Sequence, residues 1–66
     1  MNHMELLRRA TLEARNRTGD GAISTRADSG RVQIVRAVPQ ENGSFDVQPV
    51  TDWLPFEAAV DALHAM

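Results

Sequence analysis

The chain has 66 residues, with 9 acidic and 7 basic side chains, a formal charge of -2 at pH 7 and no cysteine. A chain of this length buries only about 60% of the surface its unfolded form exposes, so residues 1–66 make one small domain with a thin core, and disulfides or a Cys-rich metal site cannot supplement it. The mildly acidic balance excludes a general attraction to polyanions, and no apolar run approaches the roughly 20 residues that cross a bilayer.

From His3 to about Asn16 the sequence HMELLRRATLEARN holds good helix formers without proline or glycine, and Glu5 and Glu13 precede arginines at supportive spacings. This predicts an N-terminal helix. Met4, Leu7, Ala10 and Ala14 form one apolar stripe, whereas Leu12 stands among Arg8, Arg9 and Arg15 on the other side, with no place in the core of a monomer. Thr18-Gly19-Asp20-Gly21 ends the helix, with its glycines supplying the backbone conformations other residues avoid.

Two strands follow, AISTRA (22–27) and RVQIVRAV (31–38), joined at Asp28-Ser29-Gly30. A two-residue Ser29-Gly30 turn pairs Asp28 with Arg31, Ala27 with Val32, Thr25 with Ile34 and Ile23 with Arg36. Asn42-Gly43 is the strongest short-range hairpin signal, and a tight turn there pairs Val38 with Val47, Gln40 with Phe45 and Arg36 with Pro49. These registers place Ile23, Ala27, Val32, Ile34, Val38, Phe45 and Val47 on one face of a three-stranded meander. The other face carries Ser24, Arg26, Arg31, Gln33, Val35, Ala37, Asp46 and Gln48.

Arg36 interrupts the apolar face. A guanidinium there needs a carboxylate if it is buried, with Asp52 and Glu57 the nearest candidates, and otherwise lies at the sheet rim or beside a bulge near Pro39. In TDWLPFEAAVDALHAM, Pro55 suits a first helical position and Glu57 favours the first turn, while Phe56, Ala59, Val60 and Leu63 make a stripe for the meander's apolar face. Trp53 and Leu54 are expected to close one edge of that core. The predicted architecture is α+β, in the order αβββα, with the C-terminal helix packed on one sheet face.

Catalytic chemistry has little material. Asp61 precedes His64 by one helical turn, yet Ser24, Ser29 and Ser44 lie outside any nucleophile-elbow context. Asp61 and His64 are too few for a metal site, and TGDGA runs from helix into strand, the reverse of a phosphate-binding loop. No enzyme activity, cofactor or metal is expected. Arg26, Arg31 and Gln33 on the polar sheet face are suitable base-reading side chains for a sheet-type DNA-binding regulator, but the acidic balance and absent lysines disfavour nucleic acid as partner.

Leu12 ringed by Arg8, Arg9 and Arg15 has the anchor-and-rim pattern of a protein interface. The expected function is a small non-catalytic protein-binding module that docks on a larger protein; small proteins of this composition without cofactor motifs are frequent among bacterial and bacteriophage regulators and inhibitors, an association of frequency and not of any residue here. The thin core and open sheet edges also favour a homodimer. The N-terminus lacks the basic-then-apolar order of a secretory signal, so a cytoplasmic location without a membrane partner is expected.

Overall fold

A computed structural model describes residues 2–66, in the order α1 (His3–Thr18), β1 (Ile23–Asp28), β2 (Arg31–Pro39), β3 (Phe45–Pro49), β4 (Leu54–Pro55) and α2 (Phe56–His64). The predicted αβββα order holds, with the two-residue β4 added. The sheet is β1-β2-β3, and β4 pairs with the N-terminal end of β2, antiparallel like the other pairings.

Helix α1 starts where the Asn2 side-chain oxygen accepts the Glu5 N–H at 2.8 Å, an N-cap that satisfies one otherwise unpaired donor. It ends at Gly19, whose φ of 72° allows its N–H to reach the Arg15 carbonyl at 2.9 Å. Gly21 is not in the left-handed region, so a single glycine stops the helix. Leu7, Ala10, Thr11 and Ala14 are its buried residues. Met4, expected on that stripe, is exposed instead, one turn short of the core, and Thr11 is accommodated because its hydroxyl donates to the Leu7 carbonyl at 2.7 Å.

The core is a single layer. Leu7, Ala10 and Ala14 of α1 and Ala59 and Leu63 of α2 close over Ile23, Val32 and Ile34, with Leu54, Phe56 and Val60 packed at the margin. Helix α1 touches β1 and α2, while α2 touches β2 and β4; neither helix reaches β3. Pro55 is the N-cap of α2, one position earlier than expected. Leu54 does close the core edge, but Trp53 precedes β4 and by alternation lies on the sheet face away from the helices.

The first hairpin has the predicted register throughout, from Ile23 opposite Arg36 to Asp28 opposite Arg31. Ser29 and Gly30 have φ of 52° and 77°, the left-handed pair that a two-residue hairpin turn requires. The second register is shifted by one residue, with Pro39 opposite Phe45, Ala37 opposite Val47 and Val35 opposite Pro49.

The shift originates in the loop. Only Gly43 takes a positive φ, at 86°, while the Asn42 side-chain oxygen accepts both the N–H and the hydroxyl of Ser44. Gln40 donates its N–H to the Ser44 carbonyl, which leaves Glu41, Asn42 and Gly43 as the loop. Because side chains alternate with a period of two, a one-residue shift turns the strand over. Phe45 and Val47, expected in the core, therefore lie on the face away from the helices and are exposed, while Asp46 and Gln48 take the helix side. Among the described residues no helix covers β3 on either face, so burial gives no force opposing the loop's preference. Val38 keeps the expected face but is only partly buried, and Ala27 is exposed where the helix layer ends.

After β3 the Ile34 carbonyl accepts the N–H groups of both Val50 and Thr51, at 2.8 and 3.2 Å, a bulge that lets the chain re-enter the sheet as β4. Two substitutions separate the core from the overturned strand. Leu63→Ala should cost about 2–5 kcal/mol, a large part of the stability of a domain this small, whereas Phe45→Ser in dilute solution should cost less than about 0.5 kcal/mol. Urea unfolding followed by circular dichroism measures both, and equal losses would place Phe45 in the core after all.

Candidate protein-docking groove

The four arginines of α1 divide into two kinds. Arg15 donates its Nε–H to the Ile23 carbonyl at 2.6 Å, and Arg17 donates to the carbonyls of Leu63 and Met66 at 2.6 and 2.8 Å. Arg15 thus ties α1 to β1, and Arg17 ties α1 to the C-terminal end of α2, adding to the Met66 N–H on the Leu63 carbonyl and holding the Met66 carbonyl just beyond the helix. Arg8 and Arg9 are exposed.

Arg8, Leu12 and Arg15 share the wall of a groove of about 350 Å³ between α1 and β1, with Met4 and Thr11 on the helix side and Ser24 and Thr25 on the strand side. Arg9 joins Arg8, Leu12 and Glu5 in an adjoining hollow on the outer surface of the helix. The structure therefore brings together the residues singled out from the sequence, although the Arg15 Nε is already committed to the fold. Met4 and Leu12 remain 63% and 48% exposed, two large apolar side chains bordering the same arginine, Arg8. Ser24 and Thr25 are not legible in the sequence as groove residues, because that role follows only from where α1 lies across β1.

The side chains considered for base reading are gathered on the other sheet face and largely engaged. Gln33 is only 6% exposed; its side-chain oxygen accepts the Arg26 Nε–H at 2.8 Å, and its amide nitrogen donates to the Thr51 carbonyl at 3.0 Å. The Arg26 guanidinium also lies 5.2 Å from the Trp53 ring centroid, a cation–π contact. Arg31 is exposed at the start of β2, opposite Asp28 and Pro55.

Arg36 is paired with Asp20, Nε to Oδ2 at 2.9 Å. The carboxylate comes from the α1–β1 connection and not from Asp52 or Glu57. Both side chains are partly exposed, so Arg36 is a rim residue and no buried charge arises. The other Asp20 oxygen accepts the Ala22 N–H at 3.0 Å, so one carboxylate organises the connection and anchors it to β2.

Asp61 and His64 are both exposed on α2, and no hydrogen bond joins them among the described residues. A second cleft, of about 560 Å³, lies where His3 stacks on Phe56 at 4.6 Å between ring centroids; Leu6, Val60, Glu57 and Asp61 also line it. Among the described residues no cluster of three metal-ligating side chains occurs, and no helix is long and apolar enough to cross a membrane.

These features define a small two-layer α+β domain whose arginine-lined groove is formed by its first helix and an edge strand. No family model, curated protein or solved structure matches the chain.

The Arg36 guanidinium, and after it the Ala22 N–H, hold the Asp20 carboxyl below its ordinary value of 3.8. A carboxylate depressed in the native state contributes stability above its unfolded pKa and loses that contribution as pH falls through the native value. The melting temperature of wild type should therefore exceed that of Asp20→Asn at pH 7, and the gap should narrow as pH falls below 3.8. Thermal melts of both proteins over that range provide the test, and a gap independent of pH would remove the ion pair as its cause.

Proposed function

We propose that this chain is a non-catalytic protein-binding regulator or inhibitor that acts by docking on a larger protein through the α1–β1 groove. The observation supporting this reading is the convergence of Met4, Arg8, Leu12 and Arg15 on one open groove, where apolar anchors stand uncovered beside guanidinium groups. Arginine pairs with carboxylates through a planar fork, and its stem packs on apolar surface. The complementary partner is a protein segment that offers an apolar side chain to Leu12 and carboxylates to Arg8 and Arg9.

The competing reading, a sheet-type DNA-binding regulator, has weaker support because the Gln33 amide needed for base recognition is buried and hydrogen-bonded within the chain. An enzyme built on Asp61 and His64 would require a nucleophile nearby; Ser24 lines the α1–β1 groove, which neither Asp61 nor His64 lines, and Ser29 and Ser44 occupy the two hairpin loops at opposite ends of β2.

The test is affinity capture of the tagged chain with and without nuclease, followed by titration of the recovered protein against variants. Leu12→Asp should weaken the complex by about thirtyfold or more, the scale of an interface hot spot, and Arg8→Glu should act in the same direction. Arg26→Ala and Arg31→Ala should leave affinity unchanged. Recovery of nucleic acid alone, with binding lost in the Arg26 and Arg31 variants, would reverse the assignment.

A further inference from the structure

We propose that the free edge of β3 pairs with the same edge of a second copy of this chain, in an antiparallel two-fold ladder centred on Val47. This inference concerns the edge of the sheet opposite β1 and does not rest on the function assigned to the groove.

The sheet has two lateral edges, and they are treated differently. At β1, the Ile23 carbonyl accepts the Arg15 guanidinium and the Ile23 N–H donates to the Asp20 carbonyl, so part of that edge is closed from within. At β3 all five residues are exposed, and among the described residues the only element in contact with the strand is β2. Edge strands are commonly blunted by charged side chains, bulges or a covering element. β3 carries one charge, Asp46, and one proline, Pro49, and the bulge at Val50–Thr51 lies beyond its end; among the described residues no helix lies against it, so Phe45 and Val47 keep outward main-chain groups that nothing covers.

The main-chain directions follow from the observed ladder. Gln40 donates to the Ser44 carbonyl and Val50 donates to the Ile34 carbonyl, so by alternation Asp46 and Gln48 direct their backbone groups toward β2. Phe45, Val47 and Pro49 direct theirs outward. Pro49 has no N–H to offer, and this missing donor restricts how two such edges can match.

A ladder centred on Asp46 sets that carboxylate directly against its own copy, a repulsive pair. One centred on Gln48 pairs Val47 with Pro49 and spends the proline's missing donor in the middle of the ladder. Centring on Val47 avoids both faults. Each Val47 N–H meets the Val47 carbonyl of the other copy, and each Phe45 N–H meets the other copy's Pro49 carbonyl, while the missing proline donor falls only at the ends. Asp46 then faces Gln48 of the second copy, a carboxylate opposite an amide donor; within one chain this amide already donates to Asp46 at 2.9 Å. Phe45 and Val47, 63% and 43% exposed, become cross-strand neighbours of Pro49 and Val47 of the second copy and join the two outer faces into one apolar strip. The edge is thus self-complementary in hydrogen bonding, charge and side-chain type, which identifies a second copy as its occupant.

A five-residue ladder lies at the small end of protein interfaces, so association should depend on concentration. Sedimentation equilibrium from micromolar to millimolar protein should show the mass rising from 7.3 kDa toward a dimer. The register is read by cross-linking in a chain that has no other cysteine. Opposed residues of a hydrogen-bonded antiparallel pair have Cα atoms about 5.5 Å apart, within disulfide reach. V47C should therefore oxidise to a covalent dimer, while D46C, displaced diagonally by about 7–8 Å, should remain monomeric. Q48K should tighten the dimer several-fold and Q48E should loosen it by a similar factor. A mass constant at 7.3 kDa over the whole range, or cross-linking through D46C in preference to V47C, would overturn the proposal.

Discussion

Among the described residues two helices cover only the part of the sheet made by β1, β4 and the adjoining half of β2, and on the opposite face burial is limited to Gln33 and Val35 of β2. This shortage of covering structure governs the molecule. Ile34 and Leu63 are fully enclosed where α2, itself packed against α1, lies on β2, whereas the β2–β3 hairpin extends past the helix layer, with every residue of β3 exposed. The radius of gyration, 11.8 Å, is slightly above the roughly 11 Å of a compact chain of this length. Where burial is absent, local turn chemistry and hydrogen bonding decide conformation.

Arginine carries out tasks that the small core leaves undone. Arg15 joins α1 to the first strand, Arg17 joins it to the end of α2, and Arg36 holds the α1–β1 connection through Asp20. Each engages carbonyl or carboxylate oxygens through a planar donor set for which the ammonium of lysine is a poor substitute. The sequence contains no lysine. Arg26 is held by Gln33 and Trp53 on the far sheet face, and Arg31 is exposed at the start of β2; Arg8 and Arg9 are the exposed arginines that stand beside an exposed apolar residue, Leu12, and they motivate the docking assignment.

The groove and the β3 edge lie on opposite sides of β2. Pairing through β3 would leave α1 and β1 uncovered, so the two proposed surfaces are sterically compatible. A dimer of this form presents two grooves on its outer margins, and a partner able to engage both would gain from their linkage through effective concentration.

Much of this arrangement is written in local sequence. The helices follow from their apolar periodicity and from Gly19 at the C-terminal end of α1; the first hairpin follows from Ser29-Gly30, because both positions must adopt positive φ. Leu12 among arginines marks one wall of the groove through side-chain type and helical spacing alone. Tertiary structure decided the rest. Asn42-Gly43 is compatible with a two-residue and a three-residue loop, and only the absence of a helix over β3 allows the longer one to set the register and turn Phe45 outward. The Asp20 partner of Arg36, the Ser24 and Thr25 wall of the groove and the return of Leu54 to β2 all join residues distant along the chain. Local propensity carries no information about such meetings, because they depend on how whole elements lie across one another.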